Sequence, residues 1–402
     1  MRNNTPPTSP YNSVGGDEED DGDELIYVGD ADEVLNEWEQ QIESDDENGD
    51  DAAIVDNEMT VERDDAVLTF TKHNKPVFCG SLHPSLDLAV TGGEDDKAYV
   101  WSTETGEVVY EVDGHKDSIV CAQFSSDGNF LATGDLAGDI QVFKVNNNYS
   151  KVWEFSMGDM AWMQWHTSAN VLLAGGESGE VYVWRIPSGE CKVLQGNGHK
   201  SEVGELTNDG KKLIVGYGDG TIKLWDIKSS SVVQEILADS PLGHSSTITC
   251  IAADPDNGIF LSGSEDGKIL IAGASGALGN LLPDSGSVES LAFCPDSDLK
   301  LAACGTLQGK ISLWDIAKQA VRVECEKGGS GVTKLFWAPN HTLFCGTLDG
   351  AIRAFDGRSG QLKFSLLGHQ AEVYDLSYSR NKSILLTTSE DGTSKIFKNF
   401  VF

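Results

Sequence analysis

The chain has 402 residues, 39% of them hydrophobic, and a formal net charge of -35 at pH 7. A field of that sign repels nucleic-acid phosphates and anionic membranes and attracts basic proteins, so direct binding of DNA, RNA or heparin is not expected. No apolar run reaches the roughly 18 to 20 residues that span a bilayer, and the polar, proline-containing start has no signal-peptide core, so the cytosol is the expected compartment, with a nuclear visit allowed.

Charge is unevenly spread. Of the 64 acidic residues, 23 precede Ala66, against only Arg2 and Arg63 as bases. The remaining 41 acids and 27 bases give about -14 beyond that point and about -21 before it. Runs such as Asp17-Glu18-Glu19-Asp20-Asp21 cannot bury apolar surface, which predicts a disordered acidic arm over residues 1–65. One island interrupts it: Leu25, Ile26, Tyr27 and Val28, then Val34, Leu35, Trp38 and Ile42. The last four share one helical face, so a short amphipathic helix near 31–42 is a candidate docking element.

From Ala66 the composition changes. Ala66-Val67-Leu68-Thr69-Phe70-Thr71 alternates as a strand does and precedes the first full repeat. That repeat recurs eight times at an interval of about 42 residues and ends at Trp101, Phe143, Trp184, Trp225, Trp314, Phe355 and Phe397, with Ala272 in the aligned position of the fifth. Two copies read Trp-Asp in full, at Trp225-Asp226 and Trp314-Asp315. Such a period with these marks predicts an all-β, eight-bladed WD40 propeller over 66–402. Ring closure needs a partner for the raw edge of the last blade, and the strand at Ala66 is predicted to supply it as the outermost strand of the blade around Val373 to Phe397. Within the second repeat, strands are predicted near Ile119–Phe124, Leu131–Thr133 and Ile140–Phe143, with a fourth following. Asp219-Gly220, Asp266-Gly267, Asp349-Gly350 and Asp391-Gly392 are predicted to join strands two and three as type I′ turns.

Scattered His, Asp and Ser/Thr can imitate a hydrolase triad, but a nucleophile and its base occur once, whereas these sets recur in register. The first repeat supplies His73, Thr91, Asp95 and Trp101, and the eighth supplies His369, Thr387, Asp391 and Phe397. Both read as the buried structural tetrad of a blade. His115 and His244 share that register, with His199 offset by about two residues. His83, His166 and His341 fall near strand ends or loops and are assigned no chemistry. No phosphate-binding loop opens a helix, and no Cys-x-x-Cys pair occurs among the eight cysteines. Cys79, Cys121 and Cys250 are expected to be buried reduced thiols, and no catalytic residue, metal or cofactor is expected.

Propeller partners sit on a face, across the central channel. On the narrower, top face the residue before the tetrad aspartate is Glu94, Glu177, Glu265 or Glu390 in repeats one, three, five and eight, with Asp96 close by. The stretches leading into the innermost strands add Asp117, Asp159, Glu202, Glu289 and Glu372. Trp162, Tyr217 and Tyr374 lie among them, beside Met160. Carboxylates around an aromatic channel mouth suit an extended Lys/Arg-rich segment through charge-assisted hydrogen bonds and cation–π contacts. The bland alternative for any of these acids is a solvated loop, and for Trp162 a place in the core.

Several strings exceed what the repeat demands. Ala89-Val90-Thr91-Gly92-Gly93-Glu94-Asp95-Asp96-Lys97-Ala98, Gly114-His115-Lys116-Asp117-Ser118, Gly158-Asp159-Met160-Ala161-Trp162-Met163-Gln164-Trp165-His166 and Val215-Gly216-Tyr217-Gly218-Asp219-Gly220-Thr221-Ile222 are the clearest. With them, residues 66 to 402 resemble the angio-associated migratory cell protein family. That resemblance implies eight blades, and kinship to a fungal ribosome-assembly chaperone whose acidic top face holds the basic N-terminal segment of a large-subunit ribosomal protein. It also implies links to endothelial migration, angiogenesis and heparin binding. The expected function is a non-enzymatic, monomeric chaperone of a basic ribosomal protein in ribosome biogenesis. The alternative is a cytosolic signalling scaffold in cell migration, with a ubiquitin-ligase substrate receptor as a weaker third.

Overall fold

The computed structural model describes residues 63–402 apart from 257, 284–285, 327–328, 399 and 401–402. Residues 1–62, including the island at 25–42, therefore lie outside the described residues. The rest forms eight four-stranded antiparallel sheets, arranged as the blades of a propeller. Among the described residues no helix is long and apolar enough to cross a membrane.

The strand assignments follow burial. Second strands such as Phe130–Asp135, Leu301–Thr306 and Thr342–Thr347 are buried at every position, because each is packed by blades on both faces. They accordingly read as runs of small and apolar residues rather than as alternations. Outer strands are more open: Ser231–Ile236 turns most of its residues to solvent, and Val108–Val112 has a single buried residue. The core lies between blades, as where Val90 and Val100 of the first pack with Ile119 and Leu131 of the second. Cross-blade hydrogen bonds add to it. The Trp165 indole donates to the Gln123 carbonyl and the Trp337 indole to the Ala292 carbonyl, each at 3.0 Å.

Closure is as the sequence predicts. Leu68–Phe70 pairs with Ser394–Phe397 in the register Leu68↔Ile396, Thr69↔Lys395 and Phe70↔Ser394. Phe70 also stacks on Trp101 of the first blade, with ring centroids 4.6 Å apart. The tie begins just before Ala66, since the Asp65 N–H donates to the Leu367 carbonyl at 2.9 Å and the Lys395 ammonium meets the Asp64 carboxylate at 2.6 Å.

The turns differ from the type I′ expectation. At Asp219-Gly220 and its three counterparts only the glycine has positive φ, 87° at Gly220. The Gly220 N–H donates to the Tyr217 carbonyl at 3.1 Å and the Tyr217 N–H to the Thr221 carbonyl at 3.0 Å. This is a three-residue loop, a type I turn followed by a left-handed glycine, so it needs one positive φ and not two. In the first blade Asp96 occupies the glycine's place at φ 61°. Replacing Asp96 by Gly is expected to stabilise the fold by about 0.5 to 1 kcal/mol, part of the relief being offset by glycine's freedom in the unfolded chain. A urea titration of both proteins measures it.

Four tetrad histidines behave alike. His73 Nδ1 lies 3.0 Å from Asp95 Oδ1 and its Nε2 3.0 Å from Thr91 Oγ1, to which the Trp101 indole donates at 3.2 Å. His369 bridges Asp391 at 2.9 Å and Thr387 at 2.7 Å, while Phe397 ends that blade without an indole donor. His115 joins Asp135 and Thr133, and His244 joins Asp266 and Ser262. His199 is a correction: its side chain is exposed, 3.7 Å from Asp219, and Asn197 donates to that aspartate at 3.1 Å instead. The two-residue offset puts the imidazole past the pocket that the other histidines fill.

Two of the three unassigned histidines, His83 and His166, are fastenings. His83 Nδ1 accepts the N–H groups of Ser85 and Leu86, which leaves Nε2–H to donate to the Gly128 carbonyl of the next blade at 3.1 Å. His166 repeats this on the Gly210 carbonyl at 2.9 Å. All eight cysteines are free; Cys79 is buried, whereas Cys121 and Cys250 are half-buried and Cys191 is exposed.

Candidate protein-binding face

One end of the ring gathers the turns between second and third strands and the connections from outer to inner strands. A single backbone hydrogen bond links the two in every blade. The Glu94 N–H donates to the Pro76 carbonyl, Glu177 to Asp159, Glu265 to Thr247 and Glu390 to Glu372, at 2.9 to 3.1 Å. In the other four blades Leu136, Gly218, Leu307 and Leu348 donate in the same way to Ser118, Lys200, Ser287 and Gly331. This bond holds one residue per blade at an equivalent place on the face, a glycine in blade four. That place carries acid in blades one, three, five and eight.

Asp96, Asp159, Glu177, Glu265 and Glu390 are exposed, and Glu94, Asp117, Glu202, Glu289, Glu372 and Tyr374 are half-buried. Some are locally engaged. Lys75 lies 3.3 Å from Glu94, Lys200 lies 2.9 Å from Glu202, and the Ser246 hydroxyl donates to Glu265 at 2.9 Å. Among the described residues no cation pairs with Glu177, Glu289, Glu372 or Glu390. An aromatic pair lies at the seam of blades eight and one. There the Tyr374 ring meets Phe78 at 5.6 Å between centroids. Burial, and then the fields of Glu390, Glu372 and Glu94, push the Tyr374 phenol above its ordinary value. The fields of three carboxylates thus reach the Tyr374 phenol.

Two predicted partner residues are corrected. Tyr217 is 0% exposed and Trp162 is 8% exposed, so neither reaches a partner. The Trp162 indole donates to Ser201 Oγ at 2.9 Å, and its ring covers Gly204 of the next blade. A bulge between Met160 and Trp162 reverses the in-and-out alternation, which turns Trp162 away from the channel and into the inter-blade core.

Sequence reasoning also missed groups in the channel. A cavity of about 700 Å³ runs along the inner strands of blades four to seven, from Glu289 past Glu205 and Lys334 to Arg380. The Lys334 ammonium meets Asp375 Oδ1 at 2.8 Å, and Asp375 Oδ2 accepts the Gly80 N–H at 3.2 Å. Glu205 carries no such pair. Burial pushes its carboxyl from 4.5 up to about 7, opposed by Lys334. The only available signal was an acid at the fifth residue of an inner strand, Ser201–Leu206, where other blades place Ser, Gln, Ala or Phe.

A carboxyl that binds its proton more tightly when folded contributes stability that is full below about pH 4.5 and is lost as pH rises through about 7. Glu205→Gln is therefore expected to raise the melting temperature by a few degrees at about pH 8.5 and by little at about pH 5.5. Thermal melts of both proteins at the two pH values check this.

Comparison with known proteins places the chain among WD-repeat propellers. The WD domain, G-beta repeat model matches residues 65–102, 106–144, 278–315 and 360–398, and the anaphase-promoting complex subunit 4 WD40 domain model matches 163–254. The human angio-associated migratory cell protein is 40% identical over 353 residues, covering 83% of this chain and 80% of that one. The ribosome assembly protein SQT1 of Saccharomyces cerevisiae is 25% identical over 413 residues, covering 92% and 91%. Among solved structures, Sqt1 of Chaetomium thermophilum bound to the N-terminus of the ribosomal protein L10 superposes with a TM-score of 0.77 at 23% identity, over 84% of this chain and 100% of that one.

Proposed function

The chain belongs to the angio-associated migratory cell protein family, and from that premise we propose that it is a non-enzymatic chaperone that holds the basic segment of a large-subunit ribosomal protein until assembly. The observation that carries this reading is the recurrence of Glu94, Glu177, Glu265 and Glu390 at one hydrogen-bonded position of the face, with the Tyr374–Phe78 pair at the seam of blades eight and one. Carboxylates take Lys or Arg head groups, and the ring faces take guanidinium planes or alkyl stems. The rest of the acidic rim extends the same field over other blades, which raises encounter rates with a cationic segment. The ribosome-assembly relative, and the L10 segment bound by its Chaetomium counterpart, support a ribosomal protein as the client.

The protein acts in this reading as a cytosolic monomer, without contact to nucleic acid. Recovery of the freshly translated protein from cytosol tests it. One basic ribosomal protein at near-equal stoichiometry is the expected companion, and it should be lost when Glu94, Glu177 and Glu390 are reversed in charge. A spread of signalling proteins with no ribosomal protein among them would sink the chaperone reading and favour a scaffold in cell migration.

A further inference from the structure

The cavity along the inner strands has two chemically different ends. Glu289 is the second residue of its inner strand, Val288–Phe293, and stands at the end shared with the acidic face. Arg380 follows the last residue of the inner strand Val373–Ser379 and stands at the opposite end. Between them lies Glu205, the fifth residue of Ser201–Leu206. At about 3.3 Å per residue, that is roughly 10 Å further in than Glu202 of the same strand.

Among the described residues no cation pairs with Glu205. Lys334, the base whose field reaches it, is committed to Asp375 at 2.8 Å, and the field of that carboxylate holds the ammonium above its ordinary range. Cys250 lines the same cavity, and Cys121 lies within the field of Lys334. Burial pushes both thiols up, Cys121 to about 12, so neither carries charge. An unpaired carboxyl held this far inside the ring costs stability, and groups retained at such a cost are those that function needs. A cation that arrives from outside would complete the pair. Arg380 repels one at the far end, which leaves the acidic face as the way in. A volume of about 700 Å³ holds a long side chain and its water with room to spare.

We propose that the channel is a subsite for one long cationic side chain of the client, arginine or lysine, which enters from the acidic face and ends on the Glu205 carboxylate. This rests on the chaperone reading and sharpens it: the rim reads charge at the surface, and the channel reads the length of the stem that carries it. A short-stemmed cation satisfies the rim but stops above Glu205. Rim carboxylates speed encounter and are screened by salt, whereas a pair formed inside the ring slows departure and is screened less. Binding is also linked to a proton. In the free protein Glu205 keeps its proton up to about pH 7, and an arriving cation favours the carboxylate, so the proton leaves. The gain from this subsite is therefore full above about pH 7 and is lost as pH falls below it.

The test varies stem length at constant charge. One synthetic peptide alternates Ser with 2-amino-3-guanidinopropionic acid, which keeps the guanidinium on a single methylene. A series then replaces one of these residues by arginine, at each position in turn. Binding is read by fluorescence anisotropy. At about pH 8 the arginine should tighten binding to the unaltered protein about tenfold at one position or more, the effect of one added charge pair. At about pH 6 most of that gain should vanish, because Glu205 is then protonated in the free protein. Glu205→Gln should bind every peptide as the unaltered protein binds the short-stemmed one, at both pH values. Its melting curve shows that it is folded. No gain at any position, or an equal gain in Glu205→Gln, overturns the channel subsite while leaving the acidic face standing. Failure of the short-stemmed and arginine-bearing peptides alike to bind overturns the chaperone reading itself, and the subsite with it.

Discussion

Reversing Glu94, Glu177 and Glu390 to lysine together is expected to weaken capture of a Lys/Arg-rich peptide by about 100-fold or more at physiological salt. The three sit at one structural position in blades one, three and eight, held there by the same backbone hydrogen bond. Each reversal removes an attraction and adds a repulsion, so the losses compound. The chain as a whole moves only from -35 to -29, since three reversals add six charges, and it stays strongly anionic. A loss on this scale therefore reports local geometry and not net charge. Reversal of Glu104, Glu107 and Glu190, which lie on hairpins at the opposite end of the blades, makes the same change in net charge and should leave affinity within about twofold. Isothermal titration of both triple variants at two salt concentrations decides the matter. Survival of binding in the first, or equal loss in the second, would remove the acidic face as the site.

Asp135→Ala is the substitution expected to cost the most stability, about 3 to 5 kcal/mol. The carboxylate is fully buried, as is its partner His115. Asp135 Oδ2 lies 2.9 Å from His115 Nδ1, and Oδ1 accepts the Asp139 N–H at 2.8 Å. Removal orphans an imidazole nitrogen and a turn amide away from water, and the far side of that imidazole still holds Thr133 at 2.8 Å. The fourth blade supplies the comparison. Asp219 faces an exposed His199 at 3.7 Å, and water can reach both groups. Asp219→Ala is accordingly expected to cost about 1 to 2 kcal/mol. Denaturant titrations measure both, and equal costs would contradict burial as the reason.

Much of the propeller could be read from the chain because each blade solves the same local problem with the same residues. The strand at Leu68–Phe70 and its pairing with the last blade followed from counting repeats and asking where an unpaired edge would go. The tetrads of blades one and eight followed from spacing alone. Offsets from that spacing were visible but not decisive. His199 was two residues late, and only the positions of Asn197 and Asp219 show what that displacement does.

The candidate site was less legible. Its acids stood out by recurrence at one place in the repeat. Trp162 faces the core because a bulge at Met160/Trp162 shifts the alternation of its inner strand, and Tyr217 is buried because it ends a second strand that blades cover on both faces.

By itself, then, the sequence determined the blade count, the strand order, the closing strand and the anionic character of the protein, all of which follow from short-range pattern and composition. Tertiary structure alone decided which acids stand unpaired and which aromatics face water. The physical reason is distance along the chain. Except where the first strand closes the last blade, a blade's hydrogen bonds join residues a few tens of positions apart or fewer, in a pattern that repeats. The surface of the ring is assembled across seams, where Tyr374 meets Phe78 from the other end of the chain.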